Sequence, residues 1–151
     1  HAMAGGFEMH KEKISQLNKN LIKKMSDYNS LGNKNLDIDI ISEIGQLDFK
    51  CIQNLHKVGP FGIGNAEPRF LFKNLRTSFF KEAGKNQEHI SCVLEDIYAC
   101  KIKAIFFNSN NIKNSSVLKG NKKFHVVGKV KTNEWNKKEN IQLIIEDIML
   151  L

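Results

Sequence analysis

Five lysines fall at alternating positions in two short stretches of the chain. Lys101 and Lys103 lie in Lys101-Ile102-Lys103-Ala104, and Lys123, Lys129 and Lys131 lie between Lys122 and Thr132. Each interleaves with apolar residues, so an extended backbone sends the lysines to one side and the apolar side chains to the other. An ammonium group is a compact point charge suited to phosphate contact, whereas bidentate reading of base edges favours arginine. Arginine is scarce here, with two residues against 21 lysines. Binding of a single polyanionic strand also needs flat apolar surface. Phe107, in phase with Lys101 and Lys103, and Trp135, in the following turn region, are the aromatic residues placed to provide it.

Other chemistry finds little support. His1, His10, His56, His89 and His125 have no i, i+4 pairing and no carboxylate cluster beside them, so no catalytic or metal-ligating set is assigned. Cys51, Cys92 and Cys100 lack C-x-x-C spacing and cannot all pair internally. They read as reduced core thiols of a cytoplasmic protein, which sets aside a secreted disulfide scaffold and a cysteine zinc site. Gly62-x-Gly64-Asn65 has the look of a phosphate cradle. A dinucleotide fingerprint, however, follows a strand and opens a helix, whereas this loop follows a helical pattern and opens a strand pattern. It reads as a tight connector.

Charge supports the lysine reading. The net charge is +7, and residues 97–138 carry ten lysines against one acid, Glu134, a local charge of +9. That concentration suits a polyanion partner. The plain alternative is a lysine-rich surface set by composition, since asparagine is also abundant at 17 residues. No apolar run approaches the roughly 18 residues of a membrane span, and the start has no basic and apolar leader pattern, so neither a membrane protein nor a signal peptide is expected.

The elements that must position these residues follow from periodicity. Residues 11–28 predict an amphipathic helix, with Ile14, Leu17, Leu21, Met25 and Tyr28 at spacings of three and four. Asn29–Asn35 is a turn-rich linker, and Leu36–Ile40 alternates as a strand. A second helix is predicted from about Asp48 to Val58, with Asp48 near its N-cap and Gly59-Pro60 as its stop. Then the period changes to two, predicting strands at Phe70–Phe80, His89–Glu95, Tyr98–Phe107, Lys122–Asn133 and Asn140–Ile148. Gly128 inside the fourth of these fits a bend or bulge at a barrel corner. Five such strands suggest a small antiparallel barrel or sandwich, led by the five-stranded OB-fold. The fold class expected is α+β, mainly an OB-fold barrel of five antiparallel strands preceded by two amphipathic helices.

Three stretches, in order and in register, resemble one family. Asn133-Glu134-Trp135-Asn136 followed by Ile141-Gln142-Leu143-Ile144-Ile145-Glu146-Asp147 resembles N-E-W-N-G…Q-L-x-I-x-D. Val58-Gly59-Pro60-Phe61-Gly62-Ile63-Gly64-Asn65-Ala66-Glu67-Pro68-Arg69-Phe70 resembles L-x-P-F-G-x-G-N-P-E-P-x-F, and His1-Ala2-Met3-Ala4-Gly5-Gly6-Phe7 resembles the end of G-G-H-A-M-A-A-G-F. These are motifs of the RecJ single-stranded-DNA-specific exonucleases of the DHH phosphoesterase superfamily. Gly5, Ala66 and Lys137 depart from the pattern, and Lys137 stands where a turn glycine is usual.

The resemblance implies a C-terminal fragment. Residues 1–30 would end a DHH-associated domain, 31–58 would be a connector, and 59–151 the OB domain. It implies a parent 5′–3′ single-stranded-DNA exonuclease of recombination and repair, cytoplasmic and dependent on a divalent metal, Mg or Mn. The catalytic D-H-H motif and metal-binding aspartates do not occur in this chain, so the fragment alone is expected to be inactive and to hold no cofactor. His1 would lie near the substrate phosphate. The partner implied is single-stranded DNA, gripped by a monomer through Lys101, Lys103, Lys123, Lys129 and Lys131 with Phe107 and Trp135. The alternative is a protein-interaction module that docks single-strand-binding protein.

Overall fold

A computed structural model describes residues 5–28, 35–109, 115–135 and 138–151. The chain divides into two compact units, His1–Leu36 and Asp37–Leu151. In the first, a single 3-10 turn, Lys11–Lys13, runs into helix α1, Ile14–Tyr28. Its apolar residues Ile14, Leu21 and Met25 are exposed.

The second unit is a barrel. Its strands are β1 (Ile40–Ser42), β2 (Phe70–Ala83), β3 (His89–Glu95), β4 (Lys101–Phe106), β5 (Phe124–Trp135) and β6 (Lys138–Leu150), with helix α2 (Phe49–His56) between β1 and β2. The sheet order is β1-β2-β3-β4-β6-β5, and β5 pairs back onto β2, which closes a five-stranded barrel with β1 as an extra strand. The expectation of antiparallel strands holds at four of the barrel's five seams. At the fifth, β4 and β6 run parallel, with Lys103 opposite Gln142 and Phe106 opposite Ile145. Parallel neighbours need a crossover rather than a hairpin, and here β5 supplies it. β1 also pairs with β2 in parallel.

Inward residues fill the barrel. Phe72, Leu94, Leu118, Phe124, Val126 and Leu143 have no accessible surface, and Ile44 and Ile52 from the segment before the barrel join the same core. Ile52 is seated by α2, whose N-cap is Asp48: its carboxylate accepts from the Cys51 N–H at 2.6 Å. The segment around Asp39 is tied on by backbone, since the Asp39 and Ile40 N–H groups both donate to Arg69 O, and the Asp39 carboxylate accepts from Arg69 N–H at 2.9 Å. Of the expected Leu36–Ile40 strand only Ile40 joins a ladder, which runs on through Ile41 and Ser42 instead.

Two bulges interrupt the alternation of β2. Phe70 and Phe72 point inward. A register shift between Phe72 and Leu75, with Asn74 at φ 56°, turns Leu75 inward instead. A second shift, between Thr77 and Phe79, restores the first phase, so Phe80 packs on the core and Phe79 faces out. Bulges of this kind bend a strand so that a small barrel can close. β4 starts at Lys101 rather than Tyr98 because Asp96–Cys100 is a tight turn. The Asp96 carboxylate accepts from the Tyr98 and Cys100 N–H groups, both at 2.9 Å, and Ala99 adopts φ 62°.

Candidate nucleic-acid interface

Cross-strand partners share a face, so the register defines the outer surface of the barrel row by row. One row runs Phe79, Val93, Lys103, Gln142 and Lys131; the next runs Lys81, Ser91, Ile105, Ile144 and Lys129. The middle of this surface is apolar and half-buried at Val93, Ile105 and Ile144. Cations stand around it, and Phe79 is exposed at its β2 edge. Lys103 and Lys101 both point outward as expected. Phe107 lies in the turn after β4, 48% exposed, with its ring edge against His89 at 5.1 Å between centroids. His89 also fixes this turn, since its Nδ1 accepts from the Asn108 N–H at 3.1 Å.

The predicted lysines are not equivalent. Lys129 Nζ is 3.2 Å from Glu146 and 3.8 Å from Glu67, and Lys131 Nζ is 3.4 Å from Glu67. Arg69 completes this cluster with a 2.6 Å bond to Glu146. Lys101 Nζ lies 3.6 Å from Glu95, which also accepts from Arg76. Lys103 and Lys123 have no ion pair among the described residues, and Lys123 precedes β5 rather than lying within it. Trp135 ends β5, where its backbone pairs with Lys138, and its side chain lies outside the described ones. His1 and Lys137 also fall outside the described residues. Sequence reasoning missed Phe79, Lys81, Val93 and Ile144. Phe79 and Lys81 fall in a strand whose phase the bulges obscure, and Ile144 falls in a predicted strand whose two faces are both rich in apolar residues.

The acids of these clusters are shifted. Glu95, beside Arg76 and Lys101, is held below its ordinary value, mainly by the Arg76 hydrogen bond against the opposing effect of burial. Burial pushes Glu146 up, but the hydrogen bonds and charges of Arg69 and Lys129 together outweigh it and hold that carboxyl low as well. A carboxylate whose pKa is depressed by folding stabilises the fold above its unfolded pKa, and the contribution is lost as pH falls through the folded value. The urea midpoint is therefore expected to fall as pH drops between about 5 and 2. A flat profile there would show that these pairs contribute nothing to stability.

The connector Pro60–Asn65 is built around Asn65, whose Nδ2 donates to Val58 O at 3.1 Å and Pro60 O at 3.0 Å. Gly62 and Asn65 exchange backbone bonds of 2.8 and 3.2 Å. The loop is thus closed on itself. Among the described residues no three His, Cys, Asp or Glu side chains are grouped to hold a metal ion. No helix is long and apolar enough to cross a membrane among the described residues.

Comparison with known proteins places this geometry. The RecJ OB domain family model matches residues 38–147. The single-stranded-DNA-specific exonuclease RecJ of Bacillus subtilis (strain 168) is 23% identical over 151 residues, covering 97% of this chain and 19% of that protein. Crystal structures of RecJ from Thermus thermophilus share the fold. The complex with Mn2+ has a TM-score of 0.59 at 18% identity, over 95% of this chain and 20% of that one. The complex with Mg2+ has a TM-score of 0.58 at 17% identity, over 95% and 21%. The chain thus spans about a fifth of the length of these relatives.

Proposed function

The chain belongs to the RecJ OB-domain family, and from that membership we propose that it is the single-strand grip of a 5′–3′ single-stranded-DNA exonuclease serving recombination and repair. The observation that carries this reading is the outer face of β3, β4 and β6, where Val93, Ile105 and Ile144 lie among outward lysines. Exposed bases of a single strand can rest on such a surface while their phosphates meet the ammonium groups. A duplex hides its base faces within the stack and leaves only phosphates, sugars and groove edges to contact. Lysine contacts carry little base information, so the grip is sequence-tolerant and salt-dependent.

In this reading residues 1–30 end the DHH-associated domain, with His1 beside the substrate phosphate. Residues 31–58 connect, and 59–151 form the DNA-binding domain of a cytoplasmic monomer. Hydrolysis belongs to the rest of the longer protein, where a divalent metal would act, and no step of it is assigned to residues of this chain. Fluorescence anisotropy of a labelled single strand, with a duplex control and a salt series, tests the grip. The expected result is preference for the single strand and a steep loss of affinity with salt. Strand-indifferent binding would overturn it, and metal-dependent degradation by the pure chain would overturn the assignment of hydrolysis elsewhere.

A second reading, docking of single-strand-binding protein, draws on Ile97 and Tyr98 at the β3–β4 turn. Both are more than 60% exposed and, with Ile41, line a cleft of about 360 Å³. Competition between that protein and DNA for the chain separates the two readings.

A further inference from the structure

Phe49 is the first residue of α2 and remains 43% exposed although the helix around it is anchored. Asp48 caps the helix, and Ile52, three residues on, is 1% exposed in the barrel core. Its exposure alone is ordinary; what distinguishes this ring is what it faces.

It faces two clefts. One, of about 410 Å³, has Leu47, Val93, Ile102 and Ile141 in its lining, and Lys101 and Lys103 beside them. The other, of about 270 Å³, is lined by Ile52, Gln53, His56 and Thr132. Phe49 and Glu139 line both, so the ring and this carboxylate stand at the boundary between neighbouring hollows. Each hollow has room for one planar ring. The first opens beside Lys103, the outward lysine of β4 that no described acid neutralises.

We propose that these clefts form a two-base subsite of the single-strand grip, with Phe49 as the wall against which neighbouring bases stack. The inference rests on the reading of the outer face as a single-strand grip. Charge fixes the orientation. Phosphates are drawn to Lys101 and Lys103 and repelled by Glu139, so the backbone runs on the β4 side and the bases turn in toward Phe49. Base–aromatic stacking is sequence-tolerant because every base has a π-face, which matches a grip that reads no sequence. The subsite lies where the segment before the barrel meets β4 and β6, so it extends the binding surface beyond the barrel strands.

The test compares two labelled oligonucleotides of equal length, one with its bases and one abasic, whose phosphates are the same. Phe49→Ala is expected to bind the base-containing strand about tenfold more weakly than the unaltered chain, the scale of a single base–aromatic stack. Its affinity for the abasic strand and its salt slope stay unchanged. Phe49→Leu keeps apolar contact with the helix but offers no flat face, and is expected to behave like the alanine variant. Phe49→Trp is expected to retain binding and to show a change in emission on adding the strand, beyond that of the unaltered chain with Trp135 alone. Unchanged binding of the base-containing strand by Phe49→Ala and Phe49→Leu, or equal losses on both oligonucleotides, would overturn the subsite and leave the grip standing. Failure of the unaltered chain to bind either oligonucleotide would instead overturn the grip itself, and the subsite with it. Should Phe49→Ala fail to fold, the leucine and tryptophan variants carry the test.

Discussion

Gly128→Ala is expected to leave the barrel unable to close. Gly128 sits between two neighbours, paired with Phe70 of β2 on one side and Ile145 of β6 on the other. The register of β6 shifts there by one residue, so that Val127 opposes Asp147 while Gly128 opposes Ile145. The bulge brings the two backbones together. A Cβ on residue 128 would stand 2.2 Å from Ile144 O and 3.1 Å from Ile145 Cα. These are backbone atoms held by ladder bonds, so neither can swing aside as a flexible side-chain end would. Overpacking in a core commonly costs about 1–3 kcal/mol and at times more. A collision with fixed backbone belongs at or above the upper end of that range, against a total stability of about 5–15 kcal/mol for an ordinary domain. Urea unfolding should show a loss of at least about 3 kcal/mol, or no folded baseline at all. Gly120→Ala is the control, because its Cβ would meet nothing nearer than Val117 O at 3.7 Å. A Gly128→Ala midpoint equal to that of the control would refute the closure argument.

Gly128 is also a measure of what the sequence makes legible. A glycine amid alternating valines and lysines marks a bend, and the bend is there. Alternation likewise sends the apolar residues between those lysines to the opposite side, and Phe124, Val126 and Val130 are all buried there. It failed where a bulge resets the phase. In β2 the inward residues are Phe70 and Phe72, then Leu75, then Phe80, and no single period of two passes through all four. Asn74 at positive φ is a residue type that tolerates this conformation, but such residues are common in this chain and none singles itself out. The parallel β4–β6 seam was not legible either. Periodicity is local, whereas pairing across 39 residues depends on which edges remain free once the hairpins have formed.

The site was legible on the same terms. Strand phase placed Lys101, Lys103, Lys129 and Lys131 outward, and they are. It was silent on what stands beside them, because Glu67 precedes β2 and Glu146 lies in β6, both remote in sequence from Lys129. Phe49 was silent for a similar reason. On the sequence it is one apolar residue at a helix start, and its meaning comes from Lys101, Lys103 and Glu139, which arrive from other strands.

That unequal neighbourhood makes the lysines separable by experiment. Lys103→Glu is expected to weaken single-strand binding by about tenfold or more, because it removes an unneutralised cation and sets a carboxylate on the same face. The dependence of log affinity on log salt should flatten by roughly 0.7 for each phosphate no longer neutralised. Lys129→Ala is expected to change affinity less than about twofold, since two carboxylates at 3.2 and 3.8 Å already share that ammonium. Its stability cost should also be small, about 1 kcal/mol or less for a partly exposed pair, because Glu67 keeps Lys131 and Glu146 keeps Arg69. The converse substitution, Glu67→Gln, frees Lys131 and leaves Lys129 with Glu146 as its one remaining partner among the described acids, and it should raise affinity about two- to threefold and steepen the salt slope. Equal losses from Lys103→Glu and Lys129→Glu would mean that DNA displaces the acids at no cost. In that case net charge, and not the pairing of individual lysines, governs the grip.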